Sequence, residues 1–439
     1  MNSVTSQPAH HVADHTHKNS MDKNNTAKNN TEQTKRVHAF CQDALADHDA
    51  VALAHLLATK QLSPQEVQHA VIARAKRVNP IINAIALDCF EQPIISRTAK
   101  KGIFANVPFF IKDNTDIKGM PTNHGSDAVN GNALKKHGIV TEQLLAQGFV
   151  LMGKSRLPEF GLSASSEYKN QAPVRNPWHI DYSAGASSGG SAALVAAGVI
   201  PVAHANDGGG SIRIPAACCG LVGLKPSRGR FKDGEIARKL PINIISEGIV
   251  SRSVRDTAQF FAGMEQRYYN KKLPRIGHVQ AAGNNRLKVG LLLDSLQTTT
   301  DLATRNTVID TAHLLENLGH DIVETTLPID NRFVKDFSLY WGFLAFMACA
   351  TGKKNLSPNF DVSQVDNLTR GLADLYKKNF YHTPFMLYRL KKVNQHYRQF
   401  FNHCDVILSP TLAHTTPELG FLSPQQDFEQ LMDRLQHYA

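Results

Sequence analysis

The alternation of apolar and polar positions predicts that the ordered part of the chain opens with two amphipathic helices. Asp49 is placed to cap a first helix over residues 50–60. Residues 63–66 read Ser-Pro-Gln-Glu, a capping box with proline at the first helical position. Apolar residues then recur on one helical face, and the pair Asn79-Pro80 is expected to end this second helix.

Further along the chain, short apolar runs alternate with helical patterns. A strand followed by a helix and another strand is typical of α/β layer structures. The strand-like runs are residues 107–111, 149–152, 287–293 and 321–325, and the helical patterns among them are residues 140–146 and 302–318. The most apolar windows, residues 191–203 and 339–350, are shorter than the ~18 residues of a membrane span, so they are predicted to be buried core.

The first 40 residues differ from the rest in composition. They are rich in Asn, His, Thr and Lys and nearly free of large apolar side chains, so we expect residues 1–40 to form a disordered polar tail and residues 41–439 one domain. A metal site is a weaker hypothesis for the tail histidines, which are His10, His11, His15 and His17.

Composition and charge exclude several classes of protein. Of the 439 residues, 42% are hydrophobic, which excludes disorder along the whole chain. The net charge of +10 is spread out, so no polybasic block predicts nucleic-acid binding. Six cysteines without regular spacing favour neither a disulfide framework nor a zinc site, and together with the lack of a secretory signal they lead us to expect a cytoplasmic protein.

One segment, residues 370–398, is locally basic and aromatic. It carries seven cations and one anion, Asp374. RNA, a membrane surface or an acidic substrate are conceivable partners. We favour a pair of amphipathic helices with solvated basic faces, broken near Pro384 and bordering a substrate entrance.

The most unusual stretch is residues 182–215, where two Gly/Ser clusters flank an alanine-rich segment expected to be a tightly packed helix. The clusters are residues 185–191 and 208–211. A serine beside several glycine N–H groups suits acyl transfer, because the hydroxyl attacks a carbonyl and the N–H groups stabilise the oxyanion. A phosphate loop is excluded, because neither cluster is followed by Gly-Lys-Ser/Thr.

Two other interpretations of these clusters remain. The sequence Gly-Ala-Ser-Ser-Gly at 185–189 matches G-x-S-x-G, which would make Ser187 the nucleophile of an α/β-hydrolase. That turn needs a strand before it, whereas residues 176–182 are predicted to form a loop, and His204 and Asp207 lie too close in sequence to Ser211 for an obvious triad. Glycine-rich turns with incidental serines would explain either cluster alone, but explain both together poorly.

With these residues in view, the chain resembles the amidase signature family of Ser–Ser–Lys hydrolases from about residue 45 to about residue 420. Five motifs occur in the family's order. They are Val-Pro-Phe-Phe-Ile-Lys-Asp at 107–113, Gly-Ala-Ser-Ser-Gly-Gly-Ser at 185–191, Asp-Gly-Gly-Gly-Ser-Ile-Arg-Ile-Pro-Ala at 207–216, Cys-Gly-Leu-Val-Gly-Leu-Lys-Pro at 219–226 and Gly-Ile-Val-Ser-Arg-Ser-Val-Arg-Asp at 248–256. The resemblance implies an α/β amidase signature fold, with a mixed central β-sheet covered by helices on both faces.

The resemblance also implies the site residues. Ser211 matches the nucleophile, Ser187 the bridging serine on a cis peptide, and Lys112 the general base. The backbone N–H groups of Gly208, Gly209, Gly210 and Ser211 would form the oxyanion hole. No metal or organic cofactor is implied.

The chemistry explains why these residue types are needed. A lysine is a base near neutral pH only when burial lowers its pKa, so Lys112 is expected to be buried, although a lysine at a strand end is by default a surface residue. Asp207 and Arg213 are expected to form an ion pair that positions the nucleophile loop. Cys218 and Cys219 are expected to be core residues.

The resemblance predicts an amidase that hydrolyses a carboxamide C–N bond through an acyl-serine intermediate. We expect a small-molecule amide as substrate, with no nucleic acid and no membrane span, and a homodimer is left open. Gly208 and Ile214 replace the Thr and Gln typical of the glutaminyl-tRNA amidotransferase A subunit, which favours a stand-alone bacterial amidase. The chain also looks short at its C-terminus for the family, so a catalytically impaired homologue and an amidotransferase-type subunit are the alternatives.

Overall fold

Helices and short strands alternate along the chain, which confirms the predicted α/β class. A computed structural model describes residues 35–96 and 102–438. Residues 37–439 belong to a single unit by their contacts. Most of the predicted tail, with its four histidines, lies outside the described residues, so both hypotheses about it stay predictions.

The elements are numbered here in chain order. The helices are α1 (Ala50–Ala58), α2 (Pro64–Ile82), α3 (Ile139–Ala146), α4 (Gly189–Ala196), α5 (Arg213–Cys219), α6 (Val254–Arg267), α7 (Leu302–Asn317), α8 (Asn331–Asn355), α9 (Asn367–Asn379), α10 (Thr383–Phe400) and α11 (Phe428–Tyr438). The strands are β1 (Ile85–Asp88), β2 (Ile94–Ile95), β3 (Pro108–Lys112), β4 (Val150–Ser155), β5 (Arg175–Asn176), β6 (His179–Ser183), β7 (Val202–Asp207), β8 (Val222–Gly223), β9 (Ser246–Ser251), β10 (Lys288–Leu291), β11 (Asp321–Glu324) and β12 (Val406–Leu408).

The strands form mixed hydrogen-bonded ladders. Strand β4 pairs in parallel with β3 on one edge and antiparallel with β1 and β2 on the other. Strands β7, β9 and β8 form an antiparallel ladder, and β10 lies in parallel between β11 and β12. Strand β3 lies beside β7, where the backbone N–H of Lys112 donates to the ring of His204 at 3.3 Å. A histidine side chain therefore occupies the place where a continuous sheet would have a backbone carbonyl.

Helix α4 lies at the centre of the fold, as its alanine-rich sequence predicts. Every residue of α4 is buried, and so is the whole predicted core window 191–203. Its first turn packs backbone against backbone, because the Gly190 N–H donates to the Arg156 carbonyl at 3.1 Å. A Cβ atom on Gly190 would lie 2.5 Å from the Ala84 carbonyl oxygen, so only glycine fits there.

Two local predictions are wrong. Helix α2 continues past Pro80 to Ile82 and ends at Asn83 in the left-handed conformation. Pro80 lies in the last turn of the helix and removes a single N–H donor there, and the Asn79 side chain accepts from the N–H groups of Ala84 and Ile85 beyond the helix end. The predicted loop before the first Gly/Ser cluster is instead the short hairpin β5–β6, whose strands are too polar for the apolar alternation to reveal.

The apolar window at residues 339–350 is only partly buried. It lies in α8, which is long and apolar enough by length and composition to cross a membrane. The buried residues of α8 include Leu339, Tyr340 and Ala345, which belong to clusters that α9, α10 and α11 complete. A core helix of this length passes the same test, so α8 alone is weak support for a membrane span.

The close packing of α4 generates the first prediction. Replacing Gly190 by Ala should destabilise the fold by at least about 2 kcal/mol, because the neighbouring backbone cannot move away without strain. Gly283 is the matched control, since a Cβ there would have nothing within 4 Å. Thermal unfolding should show a lowered Tm for Gly190→Ala and an unchanged Tm for Gly283→Ala, and equal values for both would contradict the packing argument.

Candidate active site

Lys112 is a fully buried amine with neutral hydrogen-bond partners. Its side chain is 0% exposed at the end of β3. Nζ donates to Ser187 Oγ at 2.7 Å and to Asn206 Oδ1 at 2.8 Å. Burial lowers the pKa of Lys112 to about 7, against the opposing charges of Glu247 and Asp207. Because none of the described carboxylates lies within ion-pair distance of Nζ, this amine can lose its proton near neutral pH.

A second buried lysine shows the contrast. Lys154 on β4 is also 0% exposed, but its Nζ lies 2.6 Å from the Asp113 carboxylate. It also donates to the Pro121 carbonyl and the Thr122 hydroxyl. Burial lowers the pKa of Lys154 and the charge of Asp113 opposes that change. Asp113 directly follows Lys112, and successive side chains of an extended chain point to opposite faces of a sheet. Asp113 therefore pairs with Lys154, and Lys112 has no counter-ion among the described residues.

The two Gly/Ser clusters meet through the backbone. The peptide between Ala186 and Ser187 is cis, and Ser187 is buried. The Ser188 N–H donates to the Ser211 carbonyl oxygen at 3.3 Å. The structure therefore joins Lys112 to Ser187 by side chains, and it joins Ser211 by main chain to Ser188, the residue that follows Ser187. Among the described residues, no hydrogen-bond partner is found for the partly buried Ser211 hydroxyl.

The glycine loop after β7 differs in one respect from the expected oxyanion hole. The Gly210 N–H donates to Asp207 Oδ1 at 2.8 Å, so in this conformation it is already engaged and is not free to bind an oxyanion. The reason is that the buried Asp207 carboxylate needs donors of its own. The N–H groups of Gly208, Gly209 and Ser211 have no acceptor among the residues that the structure describes.

Asp207 organises this loop, as predicted, through an ion pair with Arg213. Arg213 Nε and Nη2 bond the two carboxylate oxygens at 2.8 and 2.9 Å, and Lys225 Nζ lies 3.3 Å away. Burial alone would raise the pKa of Asp207, but Arg213 and Lys225 hold it well below its usual range. The predicted core positions of Cys218 and Cys219 are also confirmed, because both are buried.

Sequence reasoning missed three residues around Lys112. Asn206 accepts from Nζ, His204 accepts from the backbone N–H, and Glu247 lies 2.9 Å from the far nitrogen of His204. The sequence signal that could have found His204 and Asn206 is the alternation of side-chain directions in β7, which places both residues on one face of the strand. His204 was weighed only as a partner for Ser211. No group of three or more His, Cys, Asp or Glu in the described ranges could hold a metal ion.

Apolar side chains face the glycine loop. Phe337 on α8 would lie 3.3 Å from a Cβ on Gly209, and Ile244 would lie 3.4 Å from a Cβ on Gly208. Phe337 also stacks on Phe333 with ring centroids 5.8 Å apart. Two apolar side chains therefore lie against the glycines that carry the candidate oxyanion donors.

The basic segment is a helix pair, as predicted. It spans α9 and α10, with Pro384 in the first turn of α10. Arg389 bonds both carboxylate oxygens of Asp336 at 2.6 Å, which ties α10 to α8 next to Phe337. The pair thus supports the helix that faces the glycine loop.

A pair of buried carboxyl groups supports the loop beside Ser187. Glu159 Oε1 accepts from the backbone N–H of Asp366 at 2.8 Å, and Oε2 accepts from Ser126 at 2.6 Å. Burial, together with the neighbouring Asp366 carboxylate, raises the pKa of Glu159 to about 8. A Cβ on Gly161, two residues on, would lie 3.1 Å from Ser187 Oγ.

This carboxyl pair generates a prediction about stability. A carboxyl group whose pKa is raised by folding costs stability as the pH rises from its unfolded value towards its folded value, here from about 4.5 to about 8. Glu159→Gln removes the ionisation; its amide oxygen can still accept from the Asp366 N–H, and its NH2 group can donate to Ser126 Oγ in place of the bond that Ser126 donates. Its Tm minus that of the parent protein should therefore increase with pH across this window. The exposed Glu316→Gln is the control, and parallel Tm curves for Glu159→Gln would contradict the prediction.

Comparison with known proteins identifies the family. The family model described as Amidase matches residues 66–439. The chain belongs to the amidase signature family. It is 44% identical over 408 residues to a putative amidase AmiC of Mycobacterium bovis, which covers 92% of this chain and 86% of that protein. The chain is therefore an amidohydrolase that acts on carbon–nitrogen bonds other than peptide bonds.

Two further comparisons concern a hydrolase of known structure. The chain is 40% identical over 215 residues to the 6-aminohexanoate-cyclic-dimer hydrolase of Paenarthrobacter ureafaciens, covering 48% of this chain and 44% of that protein. A solved structure of 6-aminohexanoate cyclic dimer hydrolase with substrate superposes with a TM-score of 0.79 at 27% identity, over 90% of this chain and 87% of that one. The predicted amidase signature fold is confirmed.

Proposed function

We propose that this amidase hydrolyses its substrate through an acyl-Ser211 intermediate, with Ser187 and Lys112 as the proton-transfer chain. The observation that carries the proposal is the bond of 2.7 Å from Lys112 Nζ to Ser187 Oγ, made by a buried amine without a counter-ion. A neutral Lys112 accepts a proton from Ser187, and Ser187 accepts one from Ser211. The main-chain contact between residues 188 and 211 supports this order.

Acylation proceeds by attack of Ser211 Oγ on the carboxamide carbon. The negative charge that develops on the carbonyl oxygen is stabilised by the N–H groups of Gly208, Gly209 and Ser211. When the C–N bond breaks, the proton returns from Lys112 through Ser187 to the leaving nitrogen, which departs as a neutral amine or ammonia. Water then attacks the acyl ester by the same route and releases the carboxylic acid, so each step uses only water and groups of the chain.

The substrate class follows from the apolar boundary of the glycine loop. Phe337 and Ile244 offer no charged group to the acyl side of a substrate. The related hydrolase that acts on a cyclic dimer of 6-aminohexanoate supports the same choice, because the ring of such a dimer carries no charge. We infer a neutral amide with an apolar acyl group.

The nucleophile can be tested by labelling and substitution. Ser211→Ala should abolish turnover, by at least roughly four orders of magnitude, because no other hydroxyl can form the acyl ester. A fluorophosphonate should label residue 211 in the parent protein, as measured by peptide mass spectrometry. The exposed Ser409→Ala is the control and should react normally. Turnover by Ser211→Ala would refute the proposal, and absence of labelling in the folded parent protein would indicate an impaired homologue.

The base generates a prediction about pH. Since only neutral Lys112 can accept a proton, kcat/KM should rise with pH through about 7 and then level off. Lys112→Ala should lower kcat by ~10³ or more and remove this ionisation from the profile. The exposed Lys391→Ala serves as the control. In the parent protein, a profile that is flat between about pH 5 and about pH 9, roughly two units either side of neutrality, would exclude Lys112 as the base.

A further inference from the structure

His204 is a buried imidazole placed between the candidate base and a carboxylate. It is 0% exposed on β7, and Glu247 on β9 is 8% exposed. His204 Nδ1 accepts the Lys112 backbone N–H at 3.3 Å, and Nε2 lies 2.9 Å from Glu247 Oε2. The register of β7 and β9 sets Asn206 opposite Glu247, so the carboxylate lies beside both residues that contact Lys112.

The hydrogen bonds define the tautomer of His204. Nδ1 accepts from a backbone N–H, so it carries a lone pair and no proton. The proton of the neutral ring is then on Nε2, which donates it to Glu247. In a doubly protonated ring, Nδ1–H would face the backbone N–H of Lys112, and two donors cannot bond each other. The arrangement therefore requires neutral His204. The carboxylate of Glu247 thus determines that His204 donates its proton from Nε2.

Resting on the proposed role of Lys112 as base, we propose that His204 and Glu247 are positioning residues for it. Neutral His204, oriented by Glu247, holds the end of β3 against β7 and so aims Nζ at Ser187. Glu247 is in addition the carboxylate whose charge opposes deprotonation of the amine without being bonded to it. The couple therefore determines both where the base lies and the pH at which it works.

Among the charged groups near Lys112, Glu247 is the one whose charge has the largest influence on the protonation of the amine. Asp207 on β7 also opposes deprotonation of Lys112, but it is bonded by the cations Arg213 and Lys225. On the opposite face of β3, Asp113 and Lys154 form their own ion pair. Asp233 lies near Glu247, and the charge of Glu247 contributes to raising the pKa of that group. No described cation forms an ion pair with Glu247, so its charge acts on Lys112 without compensation.

The first test removes the charge and keeps the hydrogen bond. In Glu247→Gln, the amide oxygen can still accept from His204 Nε2. Loss of the negative charge favours the neutral amine, so the acid limb of kcat/KM should move to lower pH by about 1 unit, with the plateau within about tenfold of the parent value. The rate of fluorophosphonate labelling should show the same movement, independently of any amide substrate. The matched control is Glu265→Gln, whose carboxylate pairs with Arg230 and contributes no charge at Lys112.

The second test separates positioning from packing. In His204→Asn the side-chain oxygen can replace Nδ1 as the acceptor of the Lys112 N–H, whereas His204→Leu fills the space without an acceptor. We expect His204→Asn to retain a plateau at least about tenfold higher than His204→Leu, since a hydrogen bond to a buried N–H is lost only in the latter. The Tm of each variant is measured alongside, so that a fold defect is recognised.

Each outcome decides the inference. A moved acid limb in Glu247→Gln supports it, and an unmoved limb overturns it, whether or not the plateau falls. Equal plateaus for the two His204 variants overturn the positioning role, and if His204→Leu does not fold, the Glu247→Gln profile decides alone. Failure of the proposed function can be distinguished from failure of this inference. It would appear as turnover by Ser211→Ala, and that measurement involves neither the Glu247 variant nor the His204 variants.

Discussion

The structure depends on burying the amine of Lys112 without giving it a counter-ion. A buried ammonium group is costly unless a carboxylate pairs with it, and here the available carboxylate, Asp113, points to the other face of β3 and pairs with Lys154. Lys112 receives only a hydroxyl and an amide oxygen as partners. The result is an amine whose pKa is lowered by burial to about 7, at the place where two glycine-rich segments meet.

The surrounding elements maintain this arrangement. Helix α4 is packed so closely that Gly190 has no room for a side chain, and it carries the Ser187 segment at its N-terminal end. Asp207, held by two cations, keeps the second glycine segment in place and uses the Gly210 N–H in doing so. Close packing on both sides means that the backbone positions the two serines, and in the proposed function their hydroxyl groups carry the chemistry.

Charge is distributed in a consistent way around the site. The cations near the glycine loop, Arg213 and Lys225, are committed to Asp207, and the side chains facing the loop are apolar. The fixed charges next to the loop are therefore paired with one another. The carboxylates whose charges act on the pKa of Lys112 lie on β7 and β9, and neither is bonded to its amine.

Sequence alone determined the α/β class and most helix and strand positions, because apolar periodicity is a local property. Its motifs, through the family resemblance, singled out residues 112, 187 and 211 as the candidate site. It also anticipated the Asp207–Arg213 ion pair, which joins neighbours in the chain. It failed at the polar hairpin β5–β6 and at Pro80, where hydrogen bonds outweigh the local pattern. Only the tertiary structure decided that Gly210 donates to Asp207 and that His204, Asn206 and Glu247 surround Lys112. The contacts around Lys112 join strands that are distant in sequence, and the pKa of a buried amine depends on where those strands place their charges.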